Sequence, residues 1–332
     1  MKNNQLMIYG AYGYAGELMV REAVAQGLRP IIAGRDDEKL KPIATELSLE
    51  CRAFGVRNTG SNLQDISVLL NCAGPFSATA EPLARACLAQ QIHYLDITGE
   101  IDIFRKCHAL DEEARQQNVL ILPGAGTDIV PTDCLAAMLK EKLPVATRID
   151  LALSFGTNPS IGTVNTMIES FGKGGLIREG GMLKVVSNAF QMRKIPFQNK
   201  PQWAMTIPWG DVFTSGISTG VPDGAVYMAM PRMSIYMIRL TNPVKGILNT
   251  QFGQKITKRL AGWLMKKGPD AKALEAGRGQ FWGEAEAPDG EKLEMTMSTP
   301  NVYALTATVG IRIAQYCLDY TGPGGYYTPS ML

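Results

Sequence analysis

Hydrophobic positions in the first 130 residues fall in short runs separated by helix-period stretches. The runs are "QLMIYGA", "RPIIAGR", "SVLLNCAG", "IHYLDITG" and "NVLILPGAG", with "ECRAFGV" as a weaker sixth. Between them, apolar residues recur at helical spacing over Glu17 to Gln26, Asp36 to Leu47, Thr79 to Gln91 and Ile101 to Gln117. Short apolar strands alternating with helices predict a doubly wound parallel sheet, an α/β fold. Such sheets carry their ligands beyond the carboxyl ends of the strands, where several of these runs end in glycine or a short polar loop.

The rhythm changes after "PTDCLAAMLKEKLP", a predicted helix from Pro131. "TRIDLALSFG" alternates like a half-buried strand, and glycine-broken stretches follow. "QFWGEAEAPDGEKLEMTMS" predicts a hairpin turning at "PDG", and a last helix is expected from about Asn301 to Asp319. The expected organisation is a first domain over 1–130, completed by about 300–332, with an α+β domain over 131–299 between. Within the second part, Leu248, Phe252, Ile256, Leu260 and Leu264 fall four apart, predicting an amphipathic helix over Asn242 to Lys267. Its lysines and arginines would suit a membrane surface, but packing on the domain's own core is the preferred reading.

Charge sharpens this picture. The 332 residues have a net charge of +2, yet residues 180–269 carry 12 basic side chains against Asp211 and Asp223 alone. That stretch is either a solvated face or an attraction for an anionic substrate. No apolar run reaches the length of a membrane span, and the amino terminus fits a first strand better than a signal peptide. Six scattered cysteines without a CxxC pair, and two histidines, offer no metal site and suggest reduced thiols in a cytoplasmic protein.

Candidate chemistry begins at "GAYGYAG". Gly10, Gly13 and Gly16 lie three apart between the first strand and the first helix, with Tyr12, Tyr14 and Ala15 among them. Glycine there permits a tight bend, close approach of a pyrophosphate and close packing of helix on strand, while the helix N-terminus offers free N–H groups. The spacing is G-x-x-G-x-x-G rather than G-x-G-x-x-G, so the strand–turn–helix context carries the reading. The second strand ends in Arg35, where dinucleotide enzymes selective for NAD place an acid; a guanidinium suits a 2′-phosphate, pointing to NADP. Asp36 follows directly and keeps NAD open. "NCAGPF" offers small residues at a later strand end, where Cys72 reads as an apolar filler. Asp96, Glu100, Asp128 and Asp133 lie just beyond strand ends, as substrate-orienting groups or proton donors, or as turn and helix caps. No tyrosine is followed four residues later by lysine, which excludes the short-chain dehydrogenase mechanism.

Together "GAYGYAG", "AGR", "NCAGPF", "YLDITGE" and "PGAGTDIVPTDCLA" resemble the saccharopine dehydrogenase-like proteins, nearest their bacterial branch of saccharopine dehydrogenase-related and trans-acting enoyl reductase-like chains. The likeness continues through "PSIGTVNTMIESFGKGGLIREGG", "IPWGDVFTSGISTGVP", "FWGEAEAPDGEKL" and "TPNVYALTA". It implies an NADP-binding Rossmann domain, a substrate domain and a C-terminal helix returning to the first domain. By motif position, Gly10, Gly13, Gly16 and Arg35 would hold the adenosine phosphates, and Ala73, Gly74 and Pro75 would lie near the nicotinamide ribose. Trp209, Asp211 and the Ser218–Gly220 motif would face the cleft, and Arg178 is the arginine expected near a substrate acid. There is no arginine pair for an amino-dicarboxylate. A homodimer is expected on the same basis.

The resulting expectation is an NADP(H)-dependent oxidoreductase moving hydride to or from a C=N, C=C or C=O bond of a small anionic substrate, with Glu100, Asp128 or water handling the proton. The competing readings are a non-catalytic NADP-binding sensor or partner protein, and a membrane-surface reductase of a lipid intermediate. Nucleic acid is not among the expected partners.

Overall fold

The computed structural model describes residues 4–155, 174–240, 242–244, 250 and 277–332. The chain divides into two compact units, Met1–Val130 with Tyr303–Leu332, and Pro131–Val302.

The first unit is a seven-stranded parallel sheet. Its strands are β1 (Leu6–Tyr9), β2 (Ile31–Gly34), β3 (Cys51–Ala53), β4 (Val68–Asn71), β5 (His93–Asp96) and β6 (Leu120–Leu122), with a late two-residue strand at Gly325–Tyr326. The spatial order runs from that last strand through β6, β5, β4, β1 and β2 to β3. Strand order therefore reverses between β1 and β4, the position where open α/β sheets open a ligand crevice. Both faces are covered, so β1, β2 and β4 are buried at every position and read as continuous apolar runs.

Helices α1 (Tyr14–Ala25), α2 (Asp37–Leu47) and α3 (Phe76–Ala89) follow β1, β2 and β4. The helix expected over Ile101 to Gln117 is in fact two, α4 (Ile101–His108) and α5 (Asp111–Gln117). Asp111, Glu112 and Glu113 occupy the first turn of α5, where carboxylates favour a helix start rather than a helix interior. The late helix Val302–Leu318 packs Ala307, Ile311, Ala314 and Cys317 into the core beside Met19 and Val20. Gly310 makes this close packing feasible, because a Cβ there would lie 2.5 Å from Met19 Cε and 3.0 Å from the Ala125 carbonyl oxygen.

In the second unit, β7 (Arg148–Phe155) is central: β8 (Asp223–Ala229) pairs parallel on one side and β9 (Gly279–Glu286) antiparallel on the other. β7 alternates in sequence but is buried almost throughout, not half-buried as its pattern suggests. One reason is that its inward polar residue, Asp150, takes ion pairs from Arg148 at 2.9 Å and Arg193 at 3.5 Å. β9 and β10 (Lys292–Thr299) form the hairpin, turning through Gly290 at φ +88°. Trp282 fills this unit's core with Tyr227, Phe197 and Ile195, and the Arg193 guanidinium stacks 4.6 Å from its ring. Of the amphipathic stretch over Asn242 to Lys267, nearly all lies outside the described residues, as does much of "PSIGTVNTMIESFGKGG".

Candidate functional site

The glycine turn is built by steric necessity. Gly10 ends β1 at φ +86°, and a Cβ on it would sit 2.7 Å from Ala73 N and 2.9 Å from Ala73 Cβ. A Cβ on Gly16 would sit 2.2 Å from the Gly10 carbonyl oxygen, so α1 starts hard against the strand end. Gly13 is the N-cap of α1 and brings no side-chain acceptor to its first turn. A helix start without a side-chain cap, a backbone cradle and the sheet's switch point together fit a dinucleotide pyrophosphate.

At the end of β2, Gly34 lets the Tyr12 ring lie on the backbone, since a Cβ there would meet Tyr12 Cε1 at 2.6 Å. Lys39 Nζ stands 5.6 Å from the centre of that ring and pairs with Asp36 at 3.1 Å. Arg35 is exposed, and its guanidinium makes no hydrogen bond or ion pair with the described residues. The acid that could hold a ribose diol is thus engaged by a lysine, while the neighbouring arginine is available to an anion. Tyr14 packs edge-on against Tyr303, ring centres 5.2 Å apart, at the start of the returning helix.

Ala73, Gly74 and Pro75 leave β4 through a cis Gly74–Pro75 peptide. A buried polar chain holds this corner. Asn71 Nδ2 donates to Tyr94 Oη at 3.2 Å, and the Ala73 N–H donates to Asn71 Oδ1 at 3.0 Å. Thr79 Oγ1 donates to the Ala73 carbonyl at 2.6 Å. Tyr94 donates on to Asp96 Oδ2 at 2.9 Å, and Asp96 Oδ1 receives the N–H groups of Thr98 and Gly124, each at 3.0 Å. Asp96 is fully buried, and burial lifts its carboxyl to about 6. It binds its own turn and the β6 loop, so of its two readings the turn-stabilising one describes it. Asn71 and Tyr94 were absent from the candidate set. A polar residue ending a fully apolar strand was the available signal.

Glu100 is half-buried at the N-cap of α4, with its N–H on Thr98 Oγ1 at 3.1 Å. Asp128 comes to the same place from the loop after β6: its Oδ2 lies 3.1 Å from where a Gly99 Cβ would be. The two carboxyl residues therefore gather at the carboxyl ends of β5 and β6. Burial pushes the Asp128 carboxyl up to about 7, the range in which a group both gives and takes protons near neutral pH. Thr127 and Thr306 tie this loop to the returning helix, Oγ1 to Oγ1 at 3.0 Å.

The Asp128 shift has a stability consequence. A raised carboxyl keeps its proton in the folded chain after the unfolded chain has lost it. Asp128 therefore makes stability fall as pH rises from about 4 to about 7, with no further change above. Asp128→Asn removes that slope and should gain stability over wild type at pH 8 but not at pH 4. Urea unfolding at both values checks this, and an equal difference at the two would refute the burial argument.

In the second unit Arg178 does not serve as expected. It is buried, its Nε donates to the Val221 carbonyl at 3.0 Å, and Nη1 reaches Ser215 Oγ at 3.1 Å and the Val212 carbonyl. Gly216 leaves it room, since a Cβ there would lie 2.9 Å from Nε. The guanidinium holds the helix Asp211–Thr219 to the sheet: two backbone carbonyls and Ser215 engage Nε and Nη1, while the buried Nη2 has no partner among the described residues. Asp211 is buried in the first turn of that helix and Trp209 just before it, its ring 6.3 Å from Phe155. Asp133 accepts from Ser218 at 2.8 Å, which is a helix-to-helix tie within this unit. Cys72 is buried with its sulfur 3.2 Å from that of Met19, and burial drives its thiol well up, as suits a filler rather than a nucleophile.

Residues 6–122 match the model of the saccharopine dehydrogenase NADP binding domain. This part of the chain is similar to that domain. The saccharopine dehydrogenase-like oxidoreductase of Rattus norvegicus is 25% identical over 231 residues, covering 61% of this chain and 53% of the relative. A putative trans-acting enoyl reductase of Mycobacterium tuberculosis is 28% identical over 205 residues, 55% of this chain and 44% of the relative. The chain thus spans about half the length of the curated relatives it matches. Among solved structures, apo saccharopine dehydrogenase (L-Glu forming) from Saccharomyces cerevisiae has the same fold, with TM-score 0.66 over 98% of this chain and 94% of that one at 10% identity. The first unit thus has a Rossmann fold, and the domain it matches is named for NADP binding. Among the described residues, no helix is long and apolar enough to cross a membrane.

Proposed function

We infer that this saccharopine dehydrogenase-like chain is an oxidoreductase using NADP(H). The observation that carries the cofactor choice is the unengaged guanidinium of Arg35, beside an Asp36 already paired with Lys39. Gly10, Gly13 and Gly16 would seat the pyrophosphate on the N-terminus of α1, Tyr12 and Arg35 would flank the adenine end, and Ala73, Gly74 and Pro75 would border the nicotinamide end. When bound, the nicotinamide supplies hydride-transfer chemistry toward a C=N, C=C or C=O bond. Asp128, lifted to about 7 by burial, is the group placed to hold or release the accompanying proton, with Glu100 beside it. The names of the relatives support an oxidoreductase as a class. They span unlike substrates, so the substrate is proposed only as a small molecule. With Arg178 committed to the fold, no arginine from the candidate set remains to hold a substrate acid.

The test is a titration of the purified protein with NADPH and with NADH, beside Arg35→Ala. A charge-assisted phosphate contact is worth about 1.5–3 kcal/mol. The variant should therefore bind NADPH roughly ten- to a hundredfold more weakly and NADH almost unchanged. Equal wild-type affinities for the two nucleotides would overturn the NADP assignment. Absence of binding to either would overturn the oxidoreductase reading with it.

A further inference from the structure

The helix Arg232–Leu240, sequence RMSIYMIRL, follows β8 in the second unit and turns an apolar stripe outward. Met233, Tyr236, Met237 and Leu240 stand at i, i+3, i+4 and i+7, the spacing of one helix face. They are 72%, 39%, 59% and 72% exposed, whereas Ile235 is buried on the protein side. An ordinary surface helix reverses this, hiding its apolar stripe and showing charge. Phe190, also exposed, follows Ala189, whose carbonyl accepts from Arg239 Nε at 2.9 Å.

The charges bordering this stripe all have one sign. Arg232 donates to Tyr236 Oη at 3.2 Å and lies over the Trp203 ring at 5.1 Å, while Arg239 closes the other end of the helix. The helix contains no acid, and the chain has no Asp or Glu between Asp223 and Asp270. Methionine and leucine flanked by arginine, with a tyrosine whose hydroxyl is already satisfied, is the composition of a helix lying in a lipid interface. A protein partner of ordinary surface would leave these arginines to be matched by carboxylates one at a time. An anionic lipid surface offers a continuous negative sheet above an apolar layer, matching both the charge and the stripe.

We propose that the face of helix Arg232–Leu240, formed by Met233, Tyr236, Met237 and Leu240 and bordered by Arg232 and Arg239, docks on an anionic phospholipid surface. This does not depend on the cofactor assignment, because the residues lie in the other unit.

The experiment is co-sedimentation of the full chain with vesicles of phosphatidylglycerol and phosphatidylcholine in equal parts, and with pure phosphatidylcholine, at low and high salt. Wild type should partition onto the anionic vesicles at least tenfold better than onto the neutral ones. High salt should weaken the attachment, since it screens the arginines. The exposed-site triple variant Met233→Ser, Met237→Ser, Leu240→Ser should lose at least tenfold of the partition while keeping the wild-type circular dichroism spectrum. Wild type staying in solution with anionic vesicles at low salt overturns the proposal. So does a folded triple variant that sediments like wild type. Light scattering covers the remaining occupant: if the triple substitution instead converts a wild-type dimer to monomers and the wild-type dimer ignores vesicles, the stripe is a subunit interface and the lipid proposal fails.

Discussion

Gly16→Ala should abolish nucleotide binding and cost about 3 kcal/mol of stability, because no relaxed position exists for the new methyl group. It would point 2.2 Å from the Gly10 carbonyl oxygen and 3.1 Å from Ala11 Cα, and both neighbours are backbone. Backbone cannot swing aside as a side chain can, so α1 must retreat from β1. Gly10, in turn, is pressed against Ala73 at the end of β4, so the retreat would disturb both sides of the switch point. Gly27→Ala serves as the control. Gly27 has φ +83° but open space around it, so its cost is only the left-handed backbone, about 1–2 kcal/mol, with nucleotide binding intact. Urea unfolding and an NADPH titration of both variants measure the contrast. A Gly16→Ala protein with wild-type stability and affinity would show that the helix does not abut the turn.

Asp96→Ala should be the most damaging substitution among the candidate acids, at about 3–5 kcal/mol. It strands three buried donors, the N–H groups of Thr98 and Gly124 and the Tyr94 hydroxyl, at about 1–3 kcal/mol each. Part of that loss is offset because the carboxylate itself is costly to bury, as its rise to about 6 shows. The offset depends on pH. The folded chain keeps the Asp96 proton up to about 6 and the unfolded chain loses it near 3.8, so wild type loses this contribution between those values. Asp96→Ala should therefore look worse at pH 4.5 than at pH 7.5. Asp96→Asn keeps the acceptor for the two N–H groups and should recover more than half of the loss. Thermal unfolding at the two pH values separates these outcomes, and an Asp96→Ala loss below about 1 kcal/mol would mean that water replaces the carboxylate.

The contrast between Asp96 and Asp128 shows where reading the chain by pattern stops. Both acids lie just beyond a strand in a glycine-flanked loop, and their local sequences do not separate them. Position in space does: Asp96 faces three donors from β5, its own turn and the β6 loop, whereas Asp128 packs its carboxyl against Gly99 beside Glu100. Arg178 gives the same lesson in reverse. A lone arginine in "GGLIREGG" looked available to a substrate, but the helix Asp211–Thr219 brings carbonyls and Ser215 onto it from more than thirty residues away. Charge and motif named the residue, and long-range packing decided its role.

What the sequence determined by itself was whatever depends on near neighbours. Apolar runs of strand length between helical stretches set the parallel sheet, and three glycines between β1 and α1 set the phosphate turn, because each glycine answers a clash with backbone close in the chain or at the adjacent strand end. Arg35 was legible for the same reason, as the residue ending β2. Tertiary structure alone decided that Asn71 and Tyr94 brace the Ala73 corner, that Arg193 comes to Asp150 buried in β7, and that Met233, Met237 and Leu240 face outward. Each of these depends on which distant segment supplies a partner or withholds one, and a buried polar group or an uncovered apolar one gains its energy from that partner rather than from its own neighbours in the chain.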